Sequence, residues 1–337
     1  MNPTPLVSVL MPVFNAEKYL REAIESILNQ TFADFEFLIL NDGSTDGSKE
    51  IILSYADTRI RYVENESNLG LIETLNKGIA LCKGKYIARM DSDDISLPDR
   101  LRRQYRFMEK YPNIGVCGTW AKVIGAGNVV EGKIVNQTHP SFVSIHLLFS
   151  VPLVHPSCFI RTAILQKHPY HPMPATEDYD LWCRLNDVTR MANLPAFLLH
   201  YRWHASNVSN EQKQIQEENK KQIIRWELQK LHLNPDDEML RIHRLSFLLH
   251  GFNSSVSIEN RSDDLQLSAQ WFEQLLLANK QYKRYHHQAF VAYLWSRWIV
   301  LCLKGGEKKR MFRPSFADFR PKVLYYLLRQ VGLLVKK

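Results

Sequence analysis

The chain has 337 residues, 45 % of them apolar and 23 % charged, with 43 Lys/Arg against 35 Asp/Glu for a net charge of +8. At roughly 100–200 residues per domain this is one large domain or two smaller ones, and the ordinary globular composition excludes whole-chain disorder, collagen-like repeats and low complexity. The charge surplus is C-terminal, because 304–337 holds ten basic and two acidic residues while the rest of the chain balances; this argues against a nucleic-acid-binding body and for a cationic tail on an anionic membrane surface.

Residues 7–14 read as a buried β-branched strand ended by Asn15. In 17–29 the positions of Leu20, Ala23, Ile24, Ile27 and Leu28 form the stripe of an amphipathic helix, with Asn15 as its expected N-cap. A second strand covers 35–40, and Asp42-Gly43-Ser44-Thr45-Asp46-Gly47 is a turn before a short helix over 48–55. A strand over 60–64 and a helix over 71–82 follow. The strand 86–90 runs into Asp91-Ser92-Asp93-Asp94, and Pro98 is expected at the first position of a helix over 101–109. Alternating strands and helices predict a doubly wound, mostly parallel sheet whose ligands bind beyond the carboxyl ends of the strands. The loops at Asp42 and at Asp91–Asp94 are at such ends.

From 117 to 201 the pattern is less regular and reads as the second half of the same domain. Beyond 210 the chain reads as mainly α-helical, beginning with a polar helix over 211–230. The expected domains are therefore 1–210 and 211–337. Two apolar stretches, 289–303 and 323–335, are each shorter than the ~20 residues a bilayer span needs, and each contains an arginine. In the second, the apolar residues share one face and the basic ones the other, which fits a terminal helix packed on its own domain with solvated lysines as well as an interfacial helix; the cationic surplus favours the latter, so 318–337 is expected to lie in a membrane interface. Five widely spaced cysteines without a CxxC point to a reducing compartment. The short apolar run 6–14 has no basic lead and contains Pro12, so no signal peptide is expected. The expected location is cytoplasmic, peripheral at the inner face of the membrane.

Several acidic and histidine positions carry chemistry, each with a plainer structural reading. Asp91 and Asp93 can serve Mg²⁺ or Mn²⁺ through oxygen ligands, or cap a helix. Asp42 fits ordinary turn chemistry. Glu177-Asp178 fits an acidic first helical turn favoured by the helix dipole. His204, taken alone, reads as a satisfied imidazole.

Taken together, these residues resemble glycosyltransferase family 2, the inverting nucleotide-sugar enzymes with the GT-A fold. The resemblance covers about 6–210. It rests on Val7-Ser8-Val9-Leu10-Met11-Pro12-Val13-Phe14-Asn15, Asn41-Asp42-Gly43-Ser44-Thr45-Asp46, Asn68-Leu69-Gly70, Asn76-Lys77-Gly78 and the Gly84–Asp94 run. His155-Pro156-Ser157, Glu177-Asp178-Tyr179-Asp180-Leu181-Trp182 and Tyr201-Arg202-Trp203-His204 complete the ordered set. The resemblance implies a GT-A sheet followed by a helical C-terminal region. It places Pro12, Phe14, Asn15, Glu17, Asp42, Asn68, Arg89, Asp91 and Arg202 around the donor nucleotide, with Phe14 against the base and Asp42 accepting from it. It makes Asp93 and His204 ligands of Mg²⁺ or Mn²⁺, and Asp178 the catalytic base.

The implied reaction moves a sugar from a nucleotide donor, UDP-linked, to a hydroxyl of a glycan or lipid-linked acceptor in cell-surface polysaccharide assembly. A non-catalytic nucleotide-sugar-binding scaffold is the alternative, and the presence of Asp93, Asp178 and His204 together speaks against it. A nucleotidyltransferase would need a glycine-rich loop after the first strand, where this chain has Pro12-Val13-Phe14-Asn15-Ala16-Glu17. Two departures from the family pattern stand out. Asn41 occupies a position where many members have Asp, and the Gln-x-x-Arg-Trp motif of processive members is absent because Leu199 stands three before Arg202. Single addition is therefore expected rather than polymer synthesis.

Overall fold

The computed structural model describes residues 4–204, 212–248, 261–307 and 310. Strands β1 (Val7–Val13), β2 (Phe35–Asn41), β3 (Ile60–Glu64) and β4 (Tyr86–Arg89) pair in parallel in the order β3-β2-β1-β4. The run of β-branched and large apolar residues in β1 is buried along its whole length, as expected of a strand covered on both faces. Helix α1 (Leu20–Leu28) buries Leu20, Ala23, Ile24 and Ile27 in the main core. α2 spans Ser48–Leu53 and α3 Leu71–Leu81. α3 lies so close to β1 that a Cβ on Gly78 would stand 2.4 Å from Leu10 Cδ1.

Beyond β4 come β5 (Ile95–Ser96), α4 (Arg100–Lys110), β6 (Ile114–Ile124), β7 (Val130–Ile134) and α5 (Pro140–His146). After a 3₁₀ turn (His155–Ser157) follow β8 (Phe159–Arg161), α6 (Thr162–Lys167), α7 (Glu177–Leu185) and β9 (Arg190–Arg202). The sheet order is β3-β2-β1-β4-β8-β6-β9-β5, with β7 beside β6. β8 is antiparallel to both β4 and β6, and β9 is parallel to β6. β9 therefore ends on the same side of the sheet as β1, β2 and β4. Residues 90–94 carry the chain from β4 to β5, which pairs with β9 through Ile95–His200 and Ser96–Leu199. Two stretches distant in sequence, the acidic loop and the end of β9, are thereby brought together.

Two helix starts differ from expectation. α1 begins at Leu20, because the N–H groups of Tyr19 and Leu20 both turn back to the Ala16 carbonyl. Asn15 is not its cap but sits at φ +48° in the loop before it. α4 begins at Arg100 behind Asp99; Pro98 lies ahead of it, its carbonyl accepting the N–H of Thr31 at 2.8 Å.

The chain forms two compact units, Met1–Thr138 with Pro152–Asn219, and His139–Val151 with Lys220–Lys337. The first reaches past residue 210 because Gln216 and Asn219 donate to the carbonyls of Ala175 and Pro174 at 3.1 and 2.9 Å. The second contains α5, most of α8 (Lys213–Gln229), α9 (Asp237–Leu248), α10 (Arg261–Tyr282) and α11 (His287–Gly305). The apolar stretch 289–303 is the core of this unit, with Phe290, Tyr293, Leu294, Trp295 and Trp298 all buried. Within it, His243 donates from Nε2 to the Leu148 carbonyl at 2.8 Å and accepts from Trp271 Nε1 at 2.9 Å. Burial pulls this imidazole down to about 4, so it is neutral with both nitrogens used.

Among the described residues no helix is long and apolar enough to cross a membrane. The amphipathic segment 318–337 lies outside the described residues. The five cysteines are free and buried.

Candidate active site

The loop after β1 and the loop after β2 are stitched together. Asn15 Oδ1 accepts the N–H of Thr45 at 2.8 Å, and its own N–H donates to Ser44 Oγ at 3.0 Å. The N–H of Glu17 donates to Asp46 Oδ2 at 3.0 Å, and Glu17 Oε2 accepts the N–H of Gly47 at 2.8 Å. Pro12 is buried in β1 opposite Leu40. Phe14, by contrast, is 46 % exposed, an apolar face open to a planar ligand.

Asp42 is buried, and its carboxylate accepts from three donors. Oδ1 accepts from Asn65 Nδ2 at 2.7 Å and from the N–H of Leu69 at 2.9 Å, and Oδ2 accepts the N–H of Gly70 at 2.9 Å. A carboxylate has about four acceptor sites, so one remains, on Oδ2. Asn68 also serves this loop, its Oδ1 accepting the N–H of Gly70 at 2.8 Å. Asn41 places Oδ1 on the N–H of Ser44 and Nδ2 on the Tyr62 hydroxyl, both at 3.1 Å. Its amide thus makes a donation that an aspartate could not.

Asp91, Asp93 and Asp94 form the acidic centre, their ligand atoms all within 4.8 Å of one another. Arg89, buried at the end of β4, pairs with Asp91. Asp93 Oδ2 lies 2.9 Å from His204 Nε2. Asp94 is buried; its Oδ1 accepts the N–H of Arg202 at 2.8 Å, and its Oδ2 is buried with no hydrogen-bond partner among the described residues. Burial, and then the charge of Asp91, hold the Asp93 carboxyl above its usual range. Burial and both neighbouring carboxylates push Asp94 well above it.

Three crowded carboxyls, one buried oxygen without a partner and an imidazole beside them form a hard donor set that suits Mg²⁺ or Mn²⁺. A bound cation would reverse these upward shifts. Arg202 is wholly buried and its guanidinium is committed to the protein. It donates to the Asp93 carbonyl at 2.7 Å, to Asn128 Oδ1 at 2.7 Å, to the Gly125 carbonyl at 3.2 Å and to Glu22 Oε2 at 2.8 Å.

The third part is the start of α7. Asp178 is half-buried there, next to Glu177, which is 7 % exposed. Burial, and then the charge of Asp178, push the Glu177 carboxyl up to about 8. His155 Nδ1 stands 3.7 Å from Glu177 Oε1, and its Nε2 is 2.6 Å from the Tyr170 hydroxyl. Burial and the nearby Arg89 charge hold this imidazole well below its usual range, so it is neutral. Asn76 fixes the main chain of Tyr170 from both sides, at 2.9 and 3.0 Å.

The predicted donor and metal residues therefore lie at the carboxyl ends of β1, β2, β4 and β9 or in the loops that follow β1, β2, β3, β4 and β9, and Asp178 lies in the first turn of α7. Tyr19 packs on His204, Glu22 accepts from Arg202, Asn65 donates to Asp42 and Tyr170 meets His155, and sequence reasoning did not single these four out. The periodicity of α1 marked Tyr19 and Glu22 only as helical positions.

Residues 8–167 match the sequence model of Glycosyl transferase family 2. An uncharacterized glycosyltransferase of Haemophilus influenzae is 31 % identical over 242 residues, 67 % of this chain and 74 % of that protein. One of Methanocaldococcus jannaschii is 39 % identical over 211 residues, 59 % of this chain and 71 % of that protein. The O-antigen biosynthesis glycosyltransferase WbnJ of Escherichia coli is 35 % identical over 205 residues, 59 % and 80 % of the two chains.

Among solved structures, S. aureus TarS 1–349 in complex with UDP-GlcNAc superposes with a TM-score of 0.56 at 17 % identity, covering 94 % of this chain and 95 % of that one. The Pyrobaculum calidifontis mannosyltransferase PcManGT, in complex with GDP-Man and Mn²⁺, gives 0.52 at 13 % identity over 100 % and 89 %. The mixed, mostly parallel sheet is thus the GT-A fold of glycosyltransferases. The chain belongs to glycosyltransferase family 2.

Proposed function

We propose that the protein is an inverting glycosyltransferase that moves a sugar from a UDP-linked donor to a hydroxyl of a glycan or lipid-linked acceptor. Cell-surface polysaccharide assembly is the setting, a reading supported by the similarity to an O-antigen biosynthesis enzyme. The observation that supports the proposal most is the placing of the Asp42 loop and of the Asp91–Asp94 centre with His204 at the carboxyl ends of β2, β4 and β9; Asp178 follows Glu177 at the start of α7, where the charges of Asp178 and Asp91 both act on the Glu177 carboxyl.

Each group has a task in a single displacement. Phe14 offers a face to the nucleobase, and the remaining acceptor site of Asp42 suits the N–H of uracil. Pro12, Asn15, Glu17 and Asn68 shape the loops around the nucleotide. Arg89 and Asp91 lie near the ribose and phosphates, and Arg202 holds the loop that carries Asp93. Asp178 takes the proton of the acceptor hydroxyl as its oxygen bonds to the anomeric carbon and the bond to the diphosphate breaks. Inversion follows because attack and departure lie on opposite sides of that carbon. Asp93 and His204, with Asp91 and Asp94 beside them, would hold Mg²⁺ or Mn²⁺, which when bound offsets the charge on the departing diphosphate. The basic segment 318–337 would rest on the anionic inner face of the cell membrane.

Calorimetric titration of the full chain with UDP, with and without Mn²⁺ and against GDP and CDP, tests the donor half. Metal-dependent UDP binding followed by turnover of a UDP-sugar is the expected result. Folded protein that binds no nucleotide would overturn the proposal, and a preference for GDP or CDP would overturn the uracil assignment.

A further inference from the structure

We infer that Tyr19 is the positioning residue that orients His204 in the acidic centre, and that its flat ring thereby sets the affinity of that centre for a divalent cation. The inference rests on the metal reading given above, but its observations are independent of it. The ladder that aligns β9 ends where the N–H of Trp203 meets the Ile124 carbonyl at 2.8 Å. His204 lies one residue beyond. Its imidazole lies against the Tyr19 ring, with centroids 5.5 Å apart and planes inclined by 26°. The Arg202 guanidinium packs on the same ring at 4.2 Å from its centroid.

Residues 202 and 204 fall on one side of an extended chain, so one aromatic ring serves both. Each of them touches the acidic loop, Arg202 at the Asp93 carbonyl and at Asp94, and His204 at the Asp93 carboxylate. Glu22, one turn further along α1, completes the seat by accepting from Arg202 at 2.8 Å and from Asn128 Nδ2 at 3.3 Å. The start of α1, which follows directly on the loop read as holding the nucleotide, therefore also fixes the far side of the metal centre.

The part of Tyr19 that matters is its ring. Its hydroxyl is buried with no hydrogen-bond partner among the described residues, so the face, rather than the oxygen, does the orienting. Side chains that orient a metal-binding histidine typically change metal affinity about 10–100-fold when removed. Tyr19→Phe keeps the face, and Tyr19→Leu keeps only bulk.

The test uses the full chain and two readouts. The first is calorimetric titration with Mn²⁺, alone and with UDP, taking Asp93→Ala as the reference for a broken centre. The second is the position of the His204 ring signals in metal-free, ¹³C-histidine-labelled protein, assigned with His204→Gln. Tyr19→Phe should leave both unchanged. Tyr19→Leu should weaken Mn²⁺ binding about 10-fold or more and move the His204 signals downfield as the ring current is lost, with metal-free UDP binding unaltered. Should Tyr19→Leu not fold, Tyr19→Met, which fills the space without a flat ring, is scored in the same way.

Unchanged His204 signals in the ring-less variant would overturn the inference. So would an unchanged Mn²⁺ affinity, or an equal loss of metal-free UDP binding. If the unsubstituted protein bound Mn²⁺ no better than Asp93→Ala, the metal reading and the affinity half of the inference would both fall, and the His204 signals would still decide the orienting role.

Discussion

Oδ2 of Asp42 holds the N–H of Gly70 at 2.9 Å, fastening the loop before α3 to the end of β2. The same carboxylate takes Asn65 and Leu69 on its other oxygen. Asp42 is thus a structural clamp with one acceptor site to spare. An isosteric Asp42→Asn change must turn an NH₂ group toward one of these N–H donors. Leaving a buried donor unsatisfied costs about 1–3 kcal/mol, and UDP binding should weaken with it. Denaturant midpoints and UDP titration check this; equal stability of the variant would remove the clamp.

Glu177 makes stability depend on pH. Its carboxyl stands at about 8 in the folded chain, far above the ~4.3 of a free glutamate. Between these values the native state holds a proton that the unfolded chain has lost. Stability therefore falls as pH rises from about 4.3 to 8, by at most about 1.4 kcal/mol per pH unit from this group, and is flat above. Glu177→Gln should remove this slope, so its Tm should exceed that of the unsubstituted protein by more at pH 9 than at pH 5. A constant difference across that range would mean that Glu177 ionises normally.

Asp178→Asn keeps the size of the side chain and removes its basicity. Turnover should fall by about 10²–10⁴-fold, while UDP affinity stays within about twofold. Joint loss of turnover and donor binding would move Asp178 from proton transfer to binding or structure.

Gly43 has a φ of +68°, and a Cβ there would stand 2.7 Å from Ser67 C and 2.8 Å from Asn68 N. Gly43→Ala therefore forces main chain against main chain in a left-handed conformation. A loss of more than about 1 kcal/mol is expected, with weaker UDP binding because residues 67–70 must move. Chemical denaturation beside UDP calorimetry gives the answer, and an unaltered midpoint would contradict it.

Removal of 318–337 should release the protein from vesicles containing anionic lipid. Sedimentation with phosphatidylserine vesicles, against purely zwitterionic ones, measures this. A truncated chain that still sediments would place membrane contact elsewhere.

The strands of the first half were readable because Val7–Val13 and Phe35–Asn41 are mainly apolar, mainly buried runs bounded by turn residues. The acidic loops could be placed at strand ends for the same reason. The start of α1 was misplaced because the side chain of Asn15 serves Thr45 rather than a helix, a long-range choice that local pattern does not record. β5 has two residues, too few for any periodicity, yet it brings the acidic loop to β9. Arg202 reads in sequence as a positive charge near phosphate, and only its total burial reveals what it grips. His155 and Glu177 were visible within motifs, but the meeting of His155 with Tyr170 and with Glu177 depends on a fold that joins positions 15 and 22 residues apart.

The helical unit takes His139–Val151 from the middle of the first unit's sequence. Its α5 buries Phe142, Val143 and Ile145 there, while the Tyr293 hydroxyl meets His146 Nδ1 at 3.1 Å. The C-terminal helices are therefore not an interchangeable cassette. A chimaera that exchanged everything after Asn219 for the tail of a relative would strand these apolar side chains among strangers, and a workable graft must carry both pieces of sequence at once.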